Sequence, residues 1–365
     1  MKMNSIVVVA VAVIAVGAVG ALAMSGAFGN SAGSEEGSTQ SGVYTFEDAK
    51  GVKHSIETPI SNVSVVHKYI PIYMKILGLE DEVAGLDTTY GMGFKSYFKN
   101  GFDIGTYSAP NGSVMVEHGS KYILSPVTMG LTNSGALKAL GIEVIYLEVN
   151  NPEVMEENLE ILCKLFGNTE SIQNKYATYL SMYNECYDVA AGYDYSNTTN
   201  ADFALYMASA GFYQTHASSA VKVIEKISGK SYTHVIDPDV RETVYFNQDP
   251  AITVEFDNNH GLDYLFVYTY ENPSDNYGKF IASGNSLDLT QLTCVRDKHV
   301  YSLGPDMVNG ALSCVASMLY GSAFLHDFDE GKSAELLDKA VNMVNNFNTT
   351  FGLNYNTENI LVEVA

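Results

Sequence analysis

Six short segments of the chain concentrate tyrosine, methionine and histidine among small polar residues. They cover residues 67–69, 88–92, 125–129, 209–216, 268–270 and 304–307. Tyrosine offers a flat apolar ring with a polar tip, and an unprotonated histidine ring is a common ligand of metal ions. These residue types suit a large, partly apolar ligand, including one that carries a metal. We predict a ligand-binding set drawn from these segments: His67, Lys68, Tyr69, Tyr90, Met92, Met129, Tyr213, His216, Tyr270, Asp306 and Met307.

Both histidines of this set have competing interpretations, and Arg241 is added to it for a separate reason. His67 and His216 are able to bind a metal held in a chelate or macrocycle, but a loop histidine is more commonly held by ordinary hydrogen bonds. Arg241 is one of only two arginines, with Arg296, and follows Asp237-Pro238 in an irregular stretch. We include Arg241 in the predicted binding set because it is able to hold an acidic group of the ligand.

No motif of the chain predicts catalysis. The sequence contains no glycine-rich phosphate loop and no HExxH, which are motifs of nucleotide enzymes and zinc hydrolases. None of its four cysteines forms a CxxC pair, and each lies in an apolar run. This pattern favours free buried thiols, with disulfides as the alternative. We therefore expect a protein that is not an enzyme.

Short β-like runs alternate with helical patterns along most of the chain. Strands are predicted near residues 63–66, 83–86, 122–124 and 144–147, and again at 203–207, 265–268 and 299–302. Such alternation indicates an α/β fold with mainly parallel sheets flanked by helices. Ligands bind beyond the carboxyl ends of parallel strands, which is where most of the six segments fall.

A long helical stretch divides this alternation into two halves. Asn151-Pro152 has the form of a helix start, and the helical spacing of apolar residues resumes after Gly167-Asn168 and continues to about Gly192. We predict an N-terminal lobe at 43–150, a linking helical segment at 151–192, a C-terminal lobe at 193–330, and a C-terminal helix and tail at 331–365. The ligand is expected in a cleft between the lobes.

The first residues of the chain indicate its compartment. Residues 6–24 form an almost wholly apolar run of 19 residues, which is long enough to cross a bilayer. Lys2 precedes this run, which favours an orientation with the remainder of the chain outside. Residues 1–24 are either a removed signal peptide or a retained membrane anchor, and both remain open. Residues 25–42, rich in glycine, serine and glutamate, are predicted to be a flexible linker.

Charge excludes some classes of partner. The formal net charge is −22, with 42 acidic and 20 basic residues. Such a chain repels nucleic acid and anionic lipid surfaces at long range. We expect a monomer that binds no nucleic acid and touches the membrane only through its N-terminal segment.

The order of short motifs along residues 44–330 resembles one known family. The matching segments are residues 44–51, 61–66, 77–86, 104–105 with 110–111, 140–144, 252–255 with 262–265, and 294–301. Together they resemble the helix-linked (class III) periplasmic binding proteins, which capture cobalamin, ferric siderophores and haem for ABC importers. The match is spread along the chain rather than concentrated in one signature.

The resemblance implies a function and a set of partners. It implies an extracytoplasmic substrate-binding protein that captures a metal chelate, without a cofactor of its own, and delivers it to an ABC permease and its ATPase. The ligand would contain iron or cobalt. It also implies permease docking through one surface glutamate in each lobe. Glu255 takes this position in the C-terminal lobe, whereas the family position in the N-terminal lobe falls on Ser113, with Glu117 one turn later as a substitute.

Two other functions remain open on the sequence alone. One is a chelatase-like, metal-handling enzyme on a related two-lobed fold. The other is a surface receptor that keeps the fold without an importer, for which Ser113 at the docking position is the main support.

Overall fold

The computed structural model describes residues 42–128, 130–198, 201–215, 217–228, 245–247, 250–270 and 272–365. The predicted apolar segment and nearly all of the predicted linker therefore lie outside the described residues. Within the described ranges, no helix is both long enough and apolar enough to span a bilayer.

The first half of the described chain forms a parallel sheet with helices packed against it, here called the N-terminal lobe. Its elements are β1 (Gly42–Glu47), β2 (Lys53–Thr58), β3 (Val63–Val65), α1 (Tyr69–Ile76), β4 (Val83–Leu86), β5 (Phe102–Asp103), β6 (Gly105–Thr106), β7 (Ala109–Pro110), α2 (Gly112–Glu117), β8 (Tyr122–Pro126), α3 (Ser134–Ala139) and β9 (Glu143–Leu147). The sheet order is β5-β4-β3-β8-β9. All residues of β3 and β4 are buried, as expected for strands covered on both faces.

Two helices follow the first sheet, α4 (Met155–Leu165) and α5 (Glu170–Ala191). The 22 residues of α5 span about 33 Å at the usual helical rise. The hydroxyl of Thr169 caps α5 by accepting the amide N–H of Ile172 at 3.3 Å. The predicted helix start at Asn151-Pro152 is wrong. The Asn151 side chain instead accepts the amide N–H of Glu153 at 3.1 Å and forms a turn ahead of α4.

The second half forms a mixed sheet, here called the C-terminal lobe. Its elements are β10 (Phe203–Met207), β11 (Phe212–Gln214), α6 (Ser219–Ser228), β12 (Tyr245–Asn247), α7 (Pro250–His260), β13 (Tyr264–Tyr268), α8 (Pro273–Ser283), α9 (Thr293–Arg296), β14 (Val300–Leu303), α10 (Pro305–Val308), α11 (Ser313–Leu325), α12 (Glu330–Phe351) and β15 (Leu361–Glu363). The sheet order is β12-β11-β10-β13-β14-β15. Strands β10, β13 and β14 are parallel, and the remaining pairings are antiparallel.

One hydrophobic core runs through both lobes and around α5. It includes residues of α1 and β3 from the N-terminal lobe together with residues of α6, α11 and α12 from the C-terminal side. Tyr179 of α5 is fully buried at the centre. Its hydroxyl donates to the Ala311 carbonyl at 3.0 Å and lies 3.3 Å from the Tyr73 hydroxyl. Because apolar packing continues across the junction, relative motion of the lobes must disturb packed side chains.

The predicted α/β architecture, with two lobes and one long linking helix, is confirmed. The four cysteines are buried free thiols in the structure, in agreement with the favoured interpretation. The sequence did not indicate the antiparallel strands at the edges of the second sheet. Strand β15 shows that the C-terminal tail returns to that sheet after α12.

Candidate ligand cleft between the lobes

A cavity of about 220 Å³ lies where loops of the two lobes meet. The loops follow the carboxyl ends of β3, β4, β8 and β9 on one side and of β10, β13 and β14 on the other. This is the position at which parallel sheets present ligand sites. The described lining residues are His67, Lys68, Tyr69, Tyr90, Thr128, Asn150, Met207, Ser209, Gln214, Ser218, Ser219, Tyr268, Thr269, Pro305 and Asn309.

His67 lies at the start of the loop after β3, where a hydrogen bond holds its backbone. Its backbone adopts φ 68°, a left-handed conformation that is uncommon for a residue other than glycine. Its amide N–H donates to the Asp87 carboxylate at 2.7 Å. Asp87 is buried and also accepts the amide N–H groups of Tyr90 and Gly91. The loops after β3 and β4 are thereby fixed to each other.

Three tyrosine rings surround the imidazole of His67. The ring centroids of Tyr69, Tyr90 and Tyr107 lie 4.5, 4.7 and 6.1 Å from that of His67. The histidine is only 5% exposed. Burial, with a smaller contribution from the neighbouring Lys68 charge, lowers the pKa of His67 to about 4. The ring is therefore unprotonated at neutral and mildly acidic pH.

The lowered pKa makes folding stability depend on pH. An unfolded histidine has a pKa of about 6.5, so the unfolded chain binds more protons than the folded chain between about pH 4 and 6.5. The stability that His67 contributes is therefore present above about pH 6.5 and declines as pH falls towards 4. We expect His67→Asn to abolish a decline of about 2 kcal/mol between pH 7 and 5. Urea unfolding of both proteins at the two pH values measures it, and equal declines would contradict this assignment.

Three buried polar atoms at this cleft have no hydrogen-bond partner among the described residues. They are Nδ1 of His67, Oδ1 of Asn150 and Oγ1 of Thr269, each from a different loop. Thr269 also has φ 129°, an unusual conformation for a β-branched residue. Buried polar atoms are nearly always hydrogen-bonded, and strained backbone concentrates at functional sites. The three atoms therefore make the cleft the candidate site for a polar ligand group.

Two ion pairs near this site join the C-terminal lobe to the N-terminal lobe and to the segment ahead of α4. The Lys68 ammonium lies 3.2 Å from the Asp306 carboxylate. Lys222 of α6 lies 2.6 Å from Glu153, which precedes α4. On the C-terminal wall, the side-chain amide of Gln214 donates to the Tyr268 hydroxyl at 2.6 Å. The two ion pairs hold the C-terminal wall against the rest of the chain, and the Gln214–Tyr268 hydrogen bond holds the C-terminal wall together.

The structure brings together only part of the predicted binding set. His67, Lys68, Tyr69 and Tyr90 line the cleft, and Asp306 pairs with Lys68 beside it. Met129, His216 and Arg241 lie outside the described residues. Four other members of the set do not line the described cavity: Met92, Tyr213, Tyr270 and Met307.

Strand geometry and packing explain two of these placements. Tyr213 is buried against Tyr206, with its hydroxyl 3.3 Å from that of Thr253, whereas the next residue, Gln214, lines the cleft. Alternate residues of a strand face opposite sides, so only one of this pair is able to face the ligand. Met307 is buried in the core shared by the lobes.

The sequence did not single out Asn150 or Thr269. Asn150 lies after the carboxyl end of the predicted strand at residues 144–147. This position is the one sequence feature that indicated a place for Asn150 at the ligand site. Thr269 lies inside the predicted segment 268–270. Its positive φ, and its hydroxyl that lacks a partner among the residues described, became visible only in three dimensions.

The predicted docking residues lie on the surface. Ser113 and Glu117 are exposed on α2, and Glu255 is exposed on α7.

Comparison with known proteins gives structural relatives. The chain matches no protein-family model and no curated protein sequence. It is similar to a crystal structure of a periplasmic haem-binding protein from Pseudomonas aeruginosa, with 14% identity, a TM-score of 0.56, and coverage of 73% of this chain and 93% of that one. It is similar to an ABC-type Fe³⁺-hydroxamate transport system structure from Saccharomonospora viridis, with 15% identity, a TM-score of 0.57, and coverage of 77% and 98%.

A third similar structure is a periplasmic solute-binding protein from Veillonella parvula. Its identity is 13% and its TM-score 0.58, and the match covers 88% of this chain and 97% of that one. At such identities the likeness concerns the fold. The fold is the two-lobed one that the sequence motifs resembled.

Proposed function

We propose that this chain, which has the fold of helix-linked periplasmic binding proteins, is the extracytoplasmic substrate-binding protein of an ABC importer. It captures a metal chelate between its lobes and delivers it to a permease. The observation that carries this proposal is that His67, Asn150 and Thr269, which line one interlobe cleft, each have a buried polar atom without a hydrogen-bond partner among the described residues. The leading ligands are an iron–siderophore complex and a cobalamin-like corrinoid, with haem as a third.

The residues of the cleft suit such a ligand chemically. Tyr69, Tyr90 and Tyr268 provide apolar ring faces, and amide and hydroxyl groups provide hydrogen bonds. His67 contacts the chelate through its unprotonated ring. The cavity of about 220 Å³ is smaller than the roughly 300–1,000 Å³ of pockets for drug-sized ligands. Capture of a chelate therefore requires that the lobes move apart and close again, by a small amount because they share a core.

Ligand binding can be measured by the quenching of the protein's tyrosine fluorescence. The chain has 25 tyrosines and no tryptophan, so its emission reports on tyrosine alone. Titration with a ferric trihydroxamate, a corrinoid and haem should give saturable quenching at micromolar concentration or below for at least one of them. If none binds, the proposed ligand class is wrong.

We also propose that Glu117 and Glu255 form the two docking points for the permease. Helix α2 leads into β8, the strand beside β3, and α7 leads into β13, the strand beside β10. The two helices therefore have equivalent places in their lobes. Counted from the first helical residue, the fourth residue of each helix, Met115 and Thr253, is buried, and the sixth, Glu117 and Glu255, is exposed. This register favours Glu117 over Ser113.

Charge reversal should abolish docking while sparing ligand capture. We expect Glu117→Lys with Glu255→Lys to lower chelate-dependent ATP hydrolysis by the reconstituted importer at least about tenfold, because each glutamate would face a basic partner group. The affinity for the chelate should stay unchanged. Glu330→Lys with Asp338→Lys, which makes the same charge change at two exposed positions of α12, is the matched control. Wild-type ATPase stimulation by the double variant would contradict this docking assignment.

A further inference from the structure

The described wall of the cleft contains a single charged side chain. Among the described lining residues, Lys68 is charged and the others are neutral polar or apolar residues. Lysine is the residue that would attract a carboxylate, catecholate or phosphate group of a ligand. The selectivity of the site for ligand charge therefore depends on whether the Lys68 ammonium is available.

Asp306 neutralises this cation from the opposite lobe. Its carboxylate lies 3.2 Å from the Lys68 ammonium, and the side chains of Asp306 and Lys68 are 43% and 27% exposed. The pair is half-buried at the edge of the cleft, where solvent screens it less than a fully exposed pair. A ligand that brings a negative charge to Lys68 would have to displace Asp306 or lie beside its carboxylate.

The electrostatic potential of the whole chain also disfavours anionic ligands. The formal net charge of −22 produces a negative potential that lowers the local concentration of anions and raises that of cations. Inside the cleft, the faces of Tyr69 and Tyr90 also favour positive charge through their ring quadrupoles. Neither effect is offset by a free cation among the described lining residues.

We propose that Asp306 is a charge-selectivity residue, and that through its pair with Lys68 the cleft selects metal chelates of zero or positive net charge and rejects anionic ones. This inference rests on the proposed capture of a metal chelate and narrows its substrate class. The preferred ligand is then a neutral or cationic ferric hydroxamate or a neutral corrinoid, rather than a catecholate or citrate complex of iron.

Three iron chelates that differ in charge provide the test. The affinities of a cationic ferric trihydroxamate, a neutral ferric trihydroxamate and a trianionic ferric tricatecholate are compared by tyrosine quenching at low salt. We expect both trihydroxamates to bind at least about tenfold more tightly than the tricatecholate, which is the effect of one charge-assisted hydrogen bond on an affinity. Equal or tighter binding of the tricatecholate would overturn the inference and leave the proposed function intact. Failure of all three, with failure of the neutral corrinoid and haem, would contradict the proposed function itself.

Substitution of Asp306 tests the residue directly. Asp306→Asn releases the Lys68 ammonium, so affinity for the tricatecholate should rise about tenfold relative to the neutral trihydroxamate. Adding Lys68→Gln to Asp306→Asn removes the released cation. The ratio of the affinity for the tricatecholate to that for the neutral trihydroxamate should then return towards the wild-type value. Asp338→Asn makes the same charge change at an exposed position of α12 and should leave the ratio unchanged. An Asp306→Asn variant with a wild-type melting temperature and an unchanged ratio would refute the assignment.

Discussion

Replacement of His67 by asparagine should weaken binding of the chelate by about 30-fold or more. Central residues in a desolvated interface commonly carry about 2 kcal/mol or more of binding free energy. His67 has this position, being buried among three tyrosine rings with one ring nitrogen unpartnered among the described residues. Asparagine is the suitable replacement, because it tolerates the left-handed backbone that position 67 requires.

A control variant tests whether the loss of affinity is specific to position 67 or follows from any replacement of histidine by asparagine. His260→Asn makes the same replacement at an exposed position of α7, and we expect it to leave the affinity unchanged. Calorimetric titration of both variants with the chelate that the wild type binds best gives the comparison. Wild-type affinity in a folded His67→Asn protein would remove His67 from the binding site.

Replacement of Tyr179 by alanine should lower the free energy of unfolding by about 4 kcal/mol, the usual cost of deleting a large buried aromatic side chain. Tyr179 is fully buried in α5 and lies between Tyr73 of the N-terminal lobe and Ala311 of the C-terminal side. The hydroxyl alone should account for about 1–2 kcal/mol, because Tyr179→Phe leaves a buried carbonyl without its donor. Urea unfolding measures both losses.

The same helix supplies a matched control for Tyr179→Phe. Tyr176 lies one turn earlier, and its hydroxyl makes only a long hydrogen bond of 3.4 Å, at the surface, to the Glu156 carbonyl. Tyr176→Phe should cost less than about 0.5 kcal/mol, as is usual for surface substitutions. Equal losses for Tyr179→Phe and Tyr176→Phe would show that the buried hydroxyl does not hold the lobes together.

Regular features of the fold could be predicted from the sequence. The strands at residues 83–86 and 203–207 have the predicted bounds, and α5 was recognised from its helical spacing of apolar residues. These elements are determined by local patterning of apolar residues, which is readable along the chain. The position of the cleft could also be predicted, because ligands bind beyond the carboxyl ends of parallel strands, and these ends are known once the strands are known.

Features that depend on distant parts of the chain could not be predicted in this way. The C-terminal strand β15 pairs with β14 across about 60 residues of chain, and nothing local distinguishes its three residues. The pairing of Lys68 with Asp306 joins residues from opposite lobes. The register of β11 determines that Gln214 lines the cleft and that Tyr213 is buried on the other face. A shift of one residue in this register would have placed Tyr213 in the cleft and Gln214 on the other face.

The central claim is that a metal chelate binds between the lobes, and anomalous diffraction at the iron edge tests it most directly. Crystals grown with a neutral ferric trihydroxamate should show one iron peak in the cleft between the ends of β3 and β13. Ligand atoms should lie within hydrogen-bond distance of Asn150 Oδ1 and Thr269 Oγ1, with His67 touching the ligand. A chelate bound elsewhere, or a cleft without iron in crystals of protein saturated with the chelate, would contradict this claim.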